Sequence, residues 1–229
     1  SVTDMSGMFN KASSFSNELD QWDTSLVTDM SNMFRFAKAF NKNLPSWDTS
    51  NVKNFSGTFA QTYNFRGTGM NLWNVSSLVD AESMFQGAYV FDADIGNWTT
   101  SSLRFVDNMF NGAILFNQNI NSWNVSSIES ANGMLQGATN YDRPLGCWSA
   151  YSFERVQIFD GTACYLEDCF ENGYCGPWRY TPTDANLTLS VSYYASSPST
   201  YIPQWGSIDT WNTERITTMY RTFYNIRTL

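Results

Sequence analysis

Apolar residues in this chain return at fixed distances instead of clustering in runs. Trp22, Trp47, Trp73, Trp98, Trp123 and Trp148 lie 25, 26, 25, 25 and 25 residues apart, and the same residue classes recur at the same offsets from each. Three residues before the tryptophan stands Leu19, Leu44, Met70, Ile95, Ile120 or Leu145, and five after it Val27, Val52, Leu78, Leu103, Ile128 or Phe153. Position +12 is Phe34, Phe59, Phe85, Phe110 and Leu135, with Asp160 breaking the series. Position +15 is small (Ala37, Thr62, Ala88, Ala113, Ala138, Ala163), and +18 is Phe40, Phe65, Phe91, Phe116, Tyr141 and Leu166. A fixed apolar period of this length is the signature of stacked coils, none of which can bury its apolar face alone. At these offsets the Met, Phe and Trp columns are core, not a cofactor or sugar platform.

Within one period, Leu44-x-x-Trp47-x-Thr49-x-x-Val52 fits the leucine-rich-repeat consensus, which predicts a short strand over 46–49 with Ser46 and Asp48 pointing outward. Met30, Met33, Phe34 and Ala37 then follow at i, i+3, i+4 and i+7, the spacing of one helix face, with Asp29 or Asp80 placed to cap it. The extra residue between Phe65 and Trp73 falls in Arg66-Gly67-Thr68-Gly69, where a loop absorbs it.

Stacking turns each repeat position into a ladder. The outward positions after tryptophan give Asp23, Asp48, Asn74, Thr99 and Asn124, a face of small polar groups that makes these residues the candidate binding face. Asp23 and Asp48 would stand on adjacent rungs, where two carboxylates repel unless bridged; a calcium ion is one candidate, two solvated carboxylates the plainer one. Asp92 and Asp94 read as loop residues.

The pattern fills 1–163, gives way over 164–205 to a cysteine-containing insertion with an alternating strand near 186–194, and resumes over 206–229 around Trp211. The chain starts and stops in mid-repeat, the expectation for a segment of something longer. Cys147, Cys164, Cys169 and Cys175 are spaced 17, 5 and 6 residues apart, unlike paired zinc knuckles, so structural disulfides bracing the insertion are the preferred reading, with connectivity open. Disulfides would place the protein in an oxidising compartment. Five N-x-S/T sequons, at Asn54, Asn74, Asn97, Asn124 and Asn186, are the candidate glycosylation sites, though a chain this rich in Asn, Ser and Thr yields several by chance.

Composition narrows the function classes. A net charge of −8 with only 13 Lys and Arg argues against nucleic acid or an anionic membrane as partner. No histidine is present, which disfavours triads, zinc enzymes and facial-triad iron sites. No apolar run is long enough to span a bilayer. An enzyme is not expected, and neither a cofactor nor a catalytic residue is assigned.

The run Val-Thr-Asp-Met-Ser-Gly-Met-Phe-x-x-Ala-x-x-Phe at the start of the chain, and Asn117-Gln118-Asn119-Ile120-Asn121-Ser122-Trp123-Asn124-Val125-Ser126 further on, resembles the BspA-type leucine-rich-repeat surface proteins. The resemblance covers roughly 1–166 and 205–229 and leaves the insertion out. The usual Asp after Trp is kept only at Asp23 and Asp48, which weakens any function needing an unbroken acidic ladder. The resemblance implies a secreted or cell-surface protein with an adhesive or unknown role and no catalysis. The resulting expectation is a right-handed α/β solenoid of leucine-rich-repeat type, with one short parallel strand and one short helix per coil and a disulfide-braced insertion. Its function would be structural or adhesive, through self-association end to end into a polymer or surface layer. The alternative is a recognition module that binds glycan or protein on its polar strand face.

Overall fold

The structure, a computed structural model, describes residues 2–145, 148 and 157–163. The chain divides into two compact units, 1–175 and 176–229, and the described residues all belong to the first. That unit is a stack of coils, numbered here so that coil 2 starts at Trp22, coil 3 at Trp47, coil 4 at Trp73, coil 5 at Trp98, coil 6 at Trp123 and coil 7 at Trp148, with coil 1 preceding Trp22. The expected insertion, its strand near 186–194 and the resumed repeat at Trp211 lie outside the described residues.

The expected strand and helix do not form. Among the described residues the single regular element is a 3-10 turn, Met70–Leu72, and successive coils are joined by isolated parallel bridges through Asp4, Asp29, Asn54, Asp80, Phe105 and Ser130. The α/β leucine-rich-repeat expectation is therefore corrected: the coils are built of consecutive turns.

The reason lies in the backbone at positions +10 and +14. Both are left-handed in every coil: Asn32 and Phe36, Gly57 and Gln61, Ser83 and Gly87, Asn108 and Gly112, Gly133 and Gly137 all have φ between 55° and 71°. A left-handed residue every fourth position ends any run of i to i−4 helical bonds. The N–H groups instead alternate in direction. In coil 2 those of Met30, Asn32, Phe34 and Phe36 donate forward to the carbonyls of Asn54, Ser56, Thr58 and Ala60, while those of Met33, Arg35 and Ala37 donate three residues back within the coil. Every backbone donor over this stretch is thus satisfied without a helix or a strand. Asp29 and Asp80 cap no helix; each carboxylate accepts the N–H two residues on, from Ser31 and Glu82, in an Asx turn.

The apolar face was read correctly although the element was not. Met30, Met33, Phe34 and Ala37 are all buried, as are their counterparts in coils 3 to 6. Phe34 and Phe40 stack within their coil at 4.1 Å between centroids, and the +12 rings of coils 1 to 5 stack on one another at 5.5 to 5.8 Å. Each buried phenylalanine contributes about 1.5–3 kcal/mol, and each aromatic pair about 0.5–1.5 kcal/mol more. The core tryptophans are tied as well as packed. Indole N–H groups of Trp47, Trp73, Trp98 and Trp123 donate to the carbonyls of Leu19, Leu44, Met70 and Ile95, 28 or 29 residues earlier. Trp148 is buried and stacks on Trp123, whereas Trp22 is only partly buried.

Two irregularities in the period have local solutions. The extra residue of coil 3 is taken up by the left-handed glycines Gly67 and Gly69 and the turn Met70–Leu72. Coil 7 runs one residue short, so Phe159 and not Asp160 fills the +12 slot, stacking on Tyr141 at 6.4 Å. The ladder confirms the shift, since the N–H groups of Leu135 and Gly137 donate to the carbonyls of Ile158 and Asp160. Thr162, not Ala163, then takes the small +15 slot, and its hydroxyl donates to the Phe159 carbonyl as that of Thr62 donates to Phe59.

Candidate functional site

The polar positions beside the tryptophans form one exposed column. Asp23, Asp48, Asn74, Thr99 and Asn124 are all exposed, as the alternation predicts. All of these side chains but that of Thr99 are nonetheless engaged in shaping the chain. The side-chain oxygens of Asp23, Asp48, Asn74 and Asn124 accept the N–H of Ser25, Ser50, Ser76 and Ser126 two residues on. The hydroxyls of Ser25 and Ser50 donate to the same aspartate oxygens at 2.6 Å. Those hydroxyl bonds, and then the N–H bonds, hold both carboxyls below the usual carboxylate range. The charge of Asp23 raises Asp48 only as the least of its influences.

Neighbouring side chains tie coil to coil. The buried hydroxyls of Thr24, Thr49 and Thr100 donate forward to the carbonyls of Asp48, Asn74 and Asn124. Ser46, Asn97 and Ser122 donate backward to Asp20, Asn71 and Gly96, and Asn51, Ser102 and Ser127 to Ser25, Ser76 and Ser101. Side chains here satisfy carbonyls that a regular sheet would satisfy through its backbone. Asp92, expected as a loop residue, does the same work, accepting from Asn117 N–H and the Gln118 amide, while Asp94 accepts from Gly96. No group of three His, Cys, Asp or Glu side chains suited to a metal comes together among the described residues.

The sequons separate by geometry. Asn54 is half-buried and its amide donates to Asp29, and the Asn97 amide donates to Asn71, so a glycan on either would break a tie between coils. Asn74 and Asn124 are exposed and use only their oxygen. Asn186, Cys147, Cys164, Cys169, Cys175 and Trp211 lie outside the described residues.

Sequence reasoning overlooked the outer turn at +9 to +17. In coils 1 and 2 it carries Lys11, Arg35 and Lys38, all exposed, with the Arg35 guanidinium over the Phe36 ring and the Lys38 ammonium over Tyr63. In coils 4 and 5 it carries half-buried Glu82 and Asp107 at +9, and exposed Tyr89, Ile114 and Leu115 at +16 and +17. Tyr63 and Tyr89 stack face to face at 4.7 Å. Burial raises the Asp80 carboxyl, with Asp29 adding to it, and burial followed by Asp80 and Asp107 raises Glu82. The signal was available in the sequence: coils 1 and 2 place cations at +13, +14 and +16, and coils 4 and 5 place carboxylates at +9, on the same turn of backbone.

A family described as Mycoplasma protein of unknown function, DUF285, matches residues 1–80, 64–168 and 198–229. The chain belongs to that family of repeat proteins. No curated protein and no solved structure matches it. Among the described residues no helix is long and apolar enough to cross a membrane.

Proposed function

We propose that this chain is a structural or adhesive repeat segment of an extracellular or cell-surface protein, in which stacked coils provide length and copies associate with one another. One observation carries the reading: most polar side chains around the tryptophans fix turns within a coil or tie one coil to the next, and the interior is filled by stacked rings. Such a construction suits a stiff spacer with a repeating surface better than a reaction centre. The resemblance of its repeat to BspA-type leucine-rich-repeat surface proteins supports the same direction. The reading involves no catalysis, cofactor or nucleic acid.

Electron microscopy of the protein from its native source, with light scattering of the purified chain across concentration, tests this. Filaments or a surface layer with a regular repeat are expected. Discrete monomers that capture glycans, and lose that capture when Asp48, Asn74 and Asn124 are replaced by Ala, would overturn it in favour of a recognition module.

A further inference from the structure

Three observations converge on the outer turn at +9 to +17. The first is backbone strain. At +14 coils 4 to 7 place Gly87, Gly112, Gly137 and Gly161, the residue suited to φ between 66° and 72°. Coils 1 and 2 place Lys11 at φ 64° and Phe36 at φ 60° in the same slot. A bulky aromatic there costs about 1–2 kcal/mol relative to glycine. Phe36 is not drawn into the interior by way of compensation: it is half-exposed, beneath an exposed arginine.

The second is unneutralised charge of both signs. The ion pairs among the described residues are Lys42–Glu18, Arg104–Glu129 and Arg143–Asp142, and none includes Lys11, Arg35, Lys38, Asp80, Glu82 or Asp107. Between +9 and +17, coils 1 and 2 carry only cations and coils 4 and 5 only carboxylates. The third is apolar exposure matching that division. Phe36, half-buried, accompanies the cations, while Tyr89, Ile114 and Leu115 at +16 and +17, each about two-fifths exposed, share the outer turns of coils 4 and 5 with the carboxylates at +9.

We propose that the outer turn of coils 1 and 2, presenting Lys11, Arg35, Phe36 and Lys38, docks on the outer turn of coils 4 and 5 of a second copy, against Glu82, Asp107, Tyr89 and Leu115. This rests on the self-association put forward above and names its surfaces. The two surfaces differ, so the contact is heterologous and repeats from copy to copy, giving chains of molecules in place of closed pairs unless the rotation closes. Ammonium and guanidinium groups meet carboxylates, and Phe36 and the lysine stems cover the exposed Tyr89 and Leu115. With each copy at −8, long-range repulsion opposes association, and the local match of signs selects the register.

Sedimentation velocity of the full chain, wild type and variants, tests the contact, with circular dichroism melting to verify each fold. Wild type is expected to associate, and to weaken at least about tenfold as salt rises from about 50 mM to about 500 mM. Arg35→Glu/Lys38→Glu and Glu82→Lys/Asp107→Asn are each expected to be monomeric alone, and to associate when mixed in equal amounts, because one then carries net negative charge on both surfaces and the other net positive charge on both. Phe36→Gly, which relieves the positive φ, is expected to melt no lower than wild type and to associate at least about tenfold more weakly. Association untouched by the charge reversals, or no recovery in the mixture, overturns this docking and leaves self-association standing. A wild type that stays monomeric at every concentration overturns both.

Discussion

Phe36 in coil 2 and Gly112 in coil 5 occupy the same slot, at φ 60° and 70°, and both N–H groups donate forward, to the carbonyls of Ala60 and Gln136. The backbone does not distinguish them, and only the surface does. Coils 1 and 2 carry side chains where coils 4 to 6 carry glycine, and their outer turns bear cations at +13, +14 and +16, whereas those of coils 4 and 5 bear carboxylates at +9. A repeat keeps what stacking demands, namely the +8, +11, +12, +15 and +18 interior, and leaves the outer turn free to vary. The difference between the two regions is therefore where function can be written without cost to the core.

The comparison can be broken first at its shared part. Phe34→Ala and Phe85→Ala remove equivalent rings from coils 2 and 4, each fully buried and stacked on both neighbours. Each is expected to lose about 3–5 kcal/mol in denaturant unfolding. A marked inequality between them would mean that the two regions differ in their cores as well.

The left-handed slot gives the next largest effect, with opposite signs. Gly112→Ala makes only ordinary van der Waals contact, its added carbon 3.8 Å from the Gly87 backbone, so its cost is the positive φ alone, about 1–2 kcal/mol. At the same slot Phe36→Gly should be neutral or stabilising. If both destabilise equally, Phe36 is held by packing and the strain argument fails.

Coil 6 offers a contrast within the aromatic column. Tyr141 stands where coils 1 to 5 have phenylalanine; its hydroxyl is buried, has no hydrogen-bond partner among the described residues, and burial pushes its pKa up. Tyr141→Phe is expected to raise the melting midpoint, by about 1–2 kcal/mol in stability, since it removes a desolvated donor. A fall would show that the hydroxyl has a partner beyond those residues.

The smallest effect is the dependence on pH, for which the two regions predict opposite slopes. Folding raises the Asp80 and Glu82 carboxyls above 3.8 and 4.5, so their contribution is complete below those values and is lost as pH rises through the folded pKa values. Asp4, Asp23 and Asp48 are lowered, and theirs is present above the usual carboxylate range and lost as pH falls. Asp80→Asn/Glu82→Gln should thus melt above wild type near neutral pH, with the gap closing on acidification as both carboxyls protonate. Asparagine already serves in the Asp80 slot of coil 3, where Asn54 accepts the Ser56 N–H. A gap that widens on acidification would reverse the assignment.

Much of the interior was legible because burial follows period alone. Met30, Met33, Phe34, Ala37 and Phe40 were assigned inward from their spacing, and all are buried. The helix inferred from that spacing was not there, since two residues in and two out is also the pattern of turns linked coil to coil. A cue lay in the +10 column, Gly7, Asn32, Gly57, Ser83, Asn108, Gly133, rich in the residue types that tolerate positive φ. Within it Asn32 and Asn108 are each followed one coil later by glycine, because a side-chain carbon on Gly57 or Gly133 would stand 2.6 or 2.7 Å from the asparagine oxygen. The polar column beside tryptophan was rightly placed outside, but whether a polar atom is free or already bonded depends on carbonyls 24 to 26 residues away, which no local pattern reports.

By itself the sequence determined the coil length, the residues that face inward, and the columns that stacking would line up, because each follows from a period that apolar burial enforces. Only the tertiary structure decided which backbone carries that period. The direction of each N–H is settled by whether the next coil offers a carbonyl in reach, and it is the alternation of those directions that replaced strand and helix with turns. The tertiary structure likewise corrected the last slots, giving +12 to Phe159 instead of Asp160, since a missing residue can be located only once the ladder on either side of it is in register.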